Sequence, residues 1–121
     1  MITEDYVSFE TAKLLKEKEF NADVNCCNVY VYGRVVSKDY IQRLDELKEY
    51  VQAPTLQMAM KWLREVHKTE IRVIYDNDKL CWYGACNPMG ESQILLGLGR
   101  KCKSYEEACE EAIKYCLEKL I

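Results

Sequence analysis

One histidine and two prolines in 121 residues leave this chain short of several things that common activities require. The single histidine, His67, has no second imidazole to share a metal. A catalytic histidine also needs a nucleophile or an orienting acid, and no pattern in the sequence supplies one. Seven cysteines are present, yet no C-x-x-C, the spacing by which a tight turn brings two thiolates onto one zinc ion. No metal and no cofactor are therefore expected. No apolar run approaches the roughly 20 residues needed to cross a bilayer. Met1 to Tyr6 is acidic, where a signal peptide would carry a basic n-region and an apolar core. A cytoplasmic protein without a membrane partner is the expectation.

An excess of positive charge is also missing. Seventeen basic residues against twenty acidic ones give a net charge of −3. Residues 1–52 carry seven basic and ten acidic side chains, and residues 53–121 carry ten of each. No sustained field draws in a polyanion, so nucleic acid is not an expected partner. What is present, 49% hydrophobic and 31% charged residues, describes a globular protein. The length suits a single domain spanning 1–121, with a helix–strand–helix portion over 1–52 and a second portion over 54–121.

The C-terminal stretch is the clearest element. Ser104 followed by Glu107 is a capping box, in which hydroxyl and carboxylate each satisfy a free amide of the first turn. Behind it Tyr105, Ala108, Cys109, Ala112, Ile113, Cys116, Leu117 and Leu120 share one helical face, opposite Glu106, Glu107, Glu110, Glu111 and Lys114. Cys109 and Cys116 lie on the apolar face, where a reduced thiol behaves as a small hydrophobe. Cys26 and Cys27 are adjacent, so on a strand one faces outward as an oxidisable thiol.

The first helix is expected to begin at Ser8, with Phe9, Ala12 and Leu15 inward, and to end near Glu19 with Phe20 packing back. Asn28 to Val36 alternates β-branched and aromatic residues and predicts one strand, bent at Gly33. Ser37 caps an expected second helix whose apolar face holds Tyr40, Ile41, Leu44, Leu47 and Val51. Ala53-Pro54 interrupts it, because the residue before proline is pushed out of the α region. Pro54 suits the first turn of a third helix running to about Lys68, with Leu56, Ala59, Met60, Leu63 and Val66 inward, Met58 and Trp62 beside them, and His67 in its last turn. Strands are expected over Glu70–Tyr75, Leu80–Cys86 and Ser92–Leu98, joined by Asp76-Asn77-Asp78 and Asn87-Pro88-Met89-Gly90 turns. The fold class is α+β: an antiparallel sheet of three or four strands packed by helices, with helix–three strands–helix order over 54–121.

That order resembles the double-stranded RNA-binding domain, which opens its last helix with Ser-Lys-Lys-x-Ala-Lys. Here the run is Ser104-Tyr105-Glu106-Glu107-Ala108-Cys109, so the lysine positions hold Tyr105, Glu106 and Cys109. Those lysines would meet phosphates, and an acidic first turn repels them. The Ser-x-Glu-Glu-Ala pattern is also similar to the start of a helix in HicB-type antitoxins. The broadest likeness lies in Tyr6–Lys18, Ala53–His67 and Ser104–Cys116. These blocks resemble small uncharacterised proteins common in gut Bacteroides genomes and their phages and mobile elements. The resemblance implies an accessory role in such an element and brings no catalytic residues.

Two constellations suggest binding. Neighbours on a strand face opposite ways, so one of Trp82 and Tyr83 is core and the other, with Tyr30 or Tyr32, forms an exposed aromatic patch of the kind that marks interfaces. Gly97-Leu-Gly-Arg100-Lys101-Cys-Lys103 precedes a helix N-terminus, where free amides and basic side chains favour a small anion. The first expectation is therefore a non-enzymatic protein acting on a protein partner or by self-association. A small anionic ligand such as a nucleotide, held by the Gly97–Lys103 loop, comes second. A double-stranded-RNA-binding-like module is a further alternative.

Overall fold

A computed structural model describes residues 2–22, 28–31, 33–36, 50–90 and 99–121. The chain divides into two compact units, Met1–Thr55 and Leu56–Ile121. The α+β class and the antiparallel pairing expected from the sequence are both present, with the described strands shared between a three-stranded and a two-stranded sheet.

In the first unit α1 (Phe9–Glu17) is capped by Ser8, whose Oγ accepts from the Thr11 amide at 3.2 Å. The inward residues are Thr11, Ala12 and Leu15, while Phe9 stays exposed. Thr11 takes the inward place expected of Phe9 because its hydroxyl is satisfied within the same turn by Ser8, which removes the cost of burying it. Phe9 instead meets the ring of Tyr30 edge-on at 5.4 Å. The helix closes as a Schellman motif: Glu19 is left-handed, the Phe20 amide donates to Leu15 O at 2.9 Å, and Phe20 packs back as expected.

Asn28–Val36 is a hairpin rather than one bent strand. β1 (Asn28–Val31) pairs antiparallel with β2 (Arg34–Val36), and Gly33 at φ +80° reverses the chain between them. The expected second helix also needs correction. Residues 37–49, with Tyr40, Ile41, Leu44 and Leu47, lie outside the described residues, but Tyr50 and Val51 belong to a strand. β3 (Tyr50–Ala53) pairs with the other edge of β1, giving the order β2-β1-β3. Pro54 explains this: it holds Ala53 extended, and Tyr50 and Val51 are strand formers placed to continue that conformation backwards. Pro54 itself precedes the next helix, and its carbonyl accepts the Val7 amide at 3.0 Å.

In the second unit α2 (Leu56–Val66) buries Leu56, Ala59, Met60 and Leu63. Val66, expected inward, is 57% exposed because the helix ends there. His67 follows the helix, and its ring meets Trp62 edge-on at 4.6 Å. Lys68 is left-handed, and the chain then enters β4 (Thr69–Asp76), which pairs with β5 (Cys81–Pro88) along its whole length. Asn87 and Pro88, expected in a turn, are the last residues of β5, and the turn follows at Met89 and Gly90. Ser92–Leu98 lies outside the described residues. Beyond it Cys102 makes an antiparallel bridge to Trp82, and α3 (Tyr105–Tyr115) begins.

Ser104 Oγ caps α3 by accepting the Glu107 amide at 3.1 Å, while the Glu107 carboxylate reaches back to the Lys103 amide at 3.3 Å. Ala108, Cys109, Ala112 and Ile113 face inward, and the helix widens into a π turn over Cys116–Leu120 that buries Cys116 and Leu117. Gly84 seats α3 on β5. A Cβ there would stand 2.2 Å from the carbonyl oxygen of Ala108, so only hydrogen fits.

Candidate functional site

The β4–β5 hairpin has two distinct faces, and among the described residues no strand pairs with the outer edge of β4. Val73 opposes Gly84 and Ile71 opposes Cys86. Gly84 touches Ala108, and the Cys86 thiol donates to Ala112 O at 3.2 Å, so this is the face that α3 covers. Tyr75 and Trp82 lie on the same face at its far end, their rings 4.8 Å apart, and Tyr105 of α3 meets Trp82 edge-on at 5.7 Å. The other face carries Glu70, Arg72, Ile74 and Asp76 from β4, opposite Asn87, Ala85, Tyr83 and Cys81 from β5. Trp82 and Tyr83 do face opposite ways, Trp82 under the helix and Tyr83 beside Ile74. Both are half-buried.

Backbone directions fix the open edge. Trp82 exchanges both of its backbone bonds with Cys102, at 2.9 and 2.8 Å, so its amide and carbonyl point away from β4. In an antiparallel ladder the residue opposite such a position also points away from its partner strand. Tyr75 is that residue, and by alternation Thr69, Ile71 and Val73 point the same way. The Met89 amide bonded to Lys68 O at 2.7 Å fits the same parity. Along its outer side β4 therefore presents the amides and carbonyls of alternate residues, and among the described residues no strand pairs with them.

The side chains flanking this edge are charged at both ends and apolar between. Arg72 reaches Glu70 through Nε at 3.3 Å, with half of the arginine side chain still exposed. Asp76 is held in place because its Oδ1 accepts the amides of Asp78 and Lys79, at 2.9 and 3.1 Å, an Asx turn that shapes the hairpin tip. Between them Ile74 and Tyr75 are exposed by 39% and 40%, and at the tip Leu80 is 75% exposed. The Tyr83 hydroxyl is pushed up to about 12 by its hydrogen bond with the Cys81 thiol, by desolvation and by the nearby Asp76 carboxylate. It stays protonated at neutral pH.

The remaining sequence-derived candidates fall elsewhere. Tyr30 belongs to the first unit, where its hydroxyl donates to Val7 O at 2.7 Å. Tyr32, Gly97 and Leu98 lie outside the described residues. In the basic loop Arg100 pairs with Glu111 at 3.1 Å, the Lys103 amide is taken by Glu107, and the side chains of Lys101 and Lys103 are exposed. The cations of this loop thus sit among carboxylates that compete with any anion. A groove of about 230 Å³ in the first unit is lined by Lys16, Phe20, Tyr50 and Gln52, but the Lys16 amine donates to Tyr50 O and the Gln52 amide is bonded to Ala22.

The described thiols are all buried. Cys86 is held well above the ordinary thiol range by its hydrogen bond with Cys116 and by burial, and burial pushes Cys109 up to about 11. Both are protonated core groups, Cys86 on β5 and Cys109 on the apolar face of α3, where a buried thiol is expected. Cys26 and Cys27 lie outside the described residues. Among the described residues no group of His, Cys, Asp or Glu is arranged to hold a metal ion, and no helix is long and apolar enough to cross a membrane.

The β4 edge was not among the sequence-derived sites. The signal was there in Glu70-Ile-Arg-Val-Ile-Tyr-Asp76, where Arg72 and Asp76 bracket Ile74 at strand spacing. No family model, curated protein or solved structure matches this chain.

Proposed function

We propose that this protein acts by binding protein rather than by catalysis, and that the β4 edge with the neighbouring hairpin tip is its contact surface. One observation carries the reading: among the described residues, the outer backbone groups of an eight-residue strand pair with no other strand, next to exposed Ile74, Tyr75 and Leu80. Such an edge accepts another strand by main-chain hydrogen bonds, with flanking side chains choosing the partner. The resemblance of Tyr6–Lys18, Ala53–His67 and Ser104–Cys116 to proteins of gut Bacteroides and their mobile elements supports an accessory role in such an element.

The anion-binding alternative has less behind it, because Glu107 and Glu111 engage the loop that would hold the ligand. The same acidic first turn counts against an RNA phosphate. A photo-crosslinking residue at Tyr75 or Leu80, used in the native cell, tests the reading, with exposed Glu17 on α1 as the control position. Protein adducts at the hairpin positions and none at Glu17 are expected. Adducts at Glu17 alone, or at none of the three, would sink the proposal.

A further inference from the structure

We infer that the partner on this edge is a second copy of the chain. The two β4 strands meet antiparallel about a twofold axis at Ile74, with Arg72 of each copy opposite Asp76 of the other. The inference rests on the binding reading above and adds the occupant and its register.

The register follows by elimination. In a twofold antiparallel pair one residue faces its own copy on the axis, and residues equally spaced on either side face each other. An axis at Arg72 sets two guanidinium groups against each other. An axis at Val73 sets Glu70 opposite Asp76, like charge against like charge, which destabilises a ladder. An axis at Ile71 does match Glu70 with Arg72. It also places Ile74 and Tyr75 opposite Lys68 and His67, where the chain has left the strand with Lys68 at φ +53°.

Of these four axes, the one at Ile74 alone sets opposite charges against each other within β4 while covering both exposed apolar residues. It pairs Arg72 through Asp76, and beyond the strand Glu70 faces Asp78 of the hairpin tip. Arg72 meets Asp76 twice by symmetry, and Ile74 meets itself. Val73 and Tyr75, whose amides and carbonyls face the open edge, exchange the main-chain hydrogen bonds. Ile74 and the Arg72–Asp76 pairs then occupy the non-hydrogen-bonded sites, where side chains come closest. The exposed apolar residues of this edge, Ile74 and Tyr75, leave water together. Arg72 approaches with its terminal nitrogens still available, since only Nε contacts Glu70. The Asx turn leaves Asp76 Oδ2 to receive it.

Sedimentation velocity on the full chain, over concentrations from micromolar to near-millimolar, tests this. The wild type is expected to form a dimer. Arg72→Asp and Asp76→Arg are each expected to weaken it by about a hundredfold, because each puts like charges opposite at both symmetric sites. The double variant Arg72→Asp/Asp76→Arg exchanges the charges and is expected to restore the dimer to within a few-fold of wild type.

A wild type that stays monomeric at every concentration overturns the inference, and it leaves the binding reading to the crosslinking experiment. A dimer indifferent to both single reversals overturns the edge. A dimer lost in Arg72→Asp but kept in Asp76→Arg overturns the register, since only Glu70 would then be opposing the arginine. If circular dichroism shows that Asp76→Arg disturbs the hairpin turn, Ile74→Lys replaces it. A dimer that survives lysine on the axis overturns the inference as well, and one that dissociates upholds it.

Discussion

In the first unit, polar side chains tie distant backbone together. The Lys16 amine donates to Tyr50 O at 2.9 Å, the Gln52 amide exchanges two bonds with Ala22 at 2.7 and 2.9 Å, and the Tyr30 hydroxyl reaches Val7 O. In the second unit the long-range fit is made by small and apolar groups: Gly84 against Ala108, the Cys86 thiol against Ala112, and Leu63, Ile113 and Leu117 fully buried. The difference follows from what each has to bury. Among the described residues of the first unit, strands of three and four residues beside one short helix offer little apolar area, so specific hydrogen bonds set the register. Two eight-residue strands under two helices offer enough area for packing to do so. The second unit should therefore be sensitive to volume and the first to polar deletion.

Gly84→Ala is the harshest test of that contrast. The new methyl would lie 2.2 Å from a helix carbonyl oxygen and 3.0 Å from the Ala112 methyl, so α3 must move off β5. A loss of about 3 kcal/mol is expected from urea denaturation. A loss near zero would mean that the helix is not seated where the packing argument puts it.

Gln52→Leu tests the other half. The substitution keeps the volume but leaves the amide and carbonyl of half-buried Ala22 without their partner, at an expected cost of about 2 kcal/mol. Hydrogen exchange should show faster exchange at Ala22 and across β3. If the loss is a few tenths of a kcal/mol, the first unit too is held by packing and the contrast fails.

The raised pKa of the Cys109 thiol gives the second unit a pH dependence whose sign follows from burial. A buried thiol whose folded pKa is raised contributes stability that is intact below its unfolded value near 9 and declines as pH rises through the folded value. For Cys109 that window runs from about 9 to about 11. Stability is expected to fall across it, and Cys109→Ala should flatten the slope there while leaving the pH 7 to 8 region unchanged in shape. An unaltered alkaline slope would show that Cys109 is not a buried proton donor.

The contrast also explains which features were legible in the sequence. Local physics was: Ser8 and Ser104 cap as their spacing indicates, Phe20 folds back, and the apolar stripes of α2 and α3 face inward. Chain reversal at Gly33 was not, because strand propensity reports that residues are extended and not which neighbour they pair with. The expected second helix takes in Val51 because that residue falls in phase with an upstream apolar face, although Pro54 already holds the opposing signal. At the site, the opposite orientation of Trp82 and Tyr83 follows from strand alternation alone. The open edge of β4 does not. It depends on Cys102 pairing with Trp82 across a long sequence gap, and that bond decides which side of the hairpin is already occupied.

The smallest expected effect is one that both units should share, and that makes it a useful limit on the contrast. Glu19, Lys68 and Leu80 have φ of 66°, 53° and 52°, a left-handed conformation that costs an ordinary residue about 1 kcal/mol and glycine almost nothing. Glycine gives back part of that gain through the larger entropy of its unfolded chain. Glu19→Gly in the first unit and Leu80→Gly in the second are each expected to raise stability by about 0.5 kcal/mol in urea titration. Lys68→Gly should be neutral, because the substitution also removes the amine that bonds Glu65 O at 2.8 Å. Backbone strain at one residue is local and ignores how the surrounding unit is held, so the first two gains should be equal. A gain in only one unit would mean that its turn is being held open by the packing or the polar ties around it, and would extend the difference between the units to their loops.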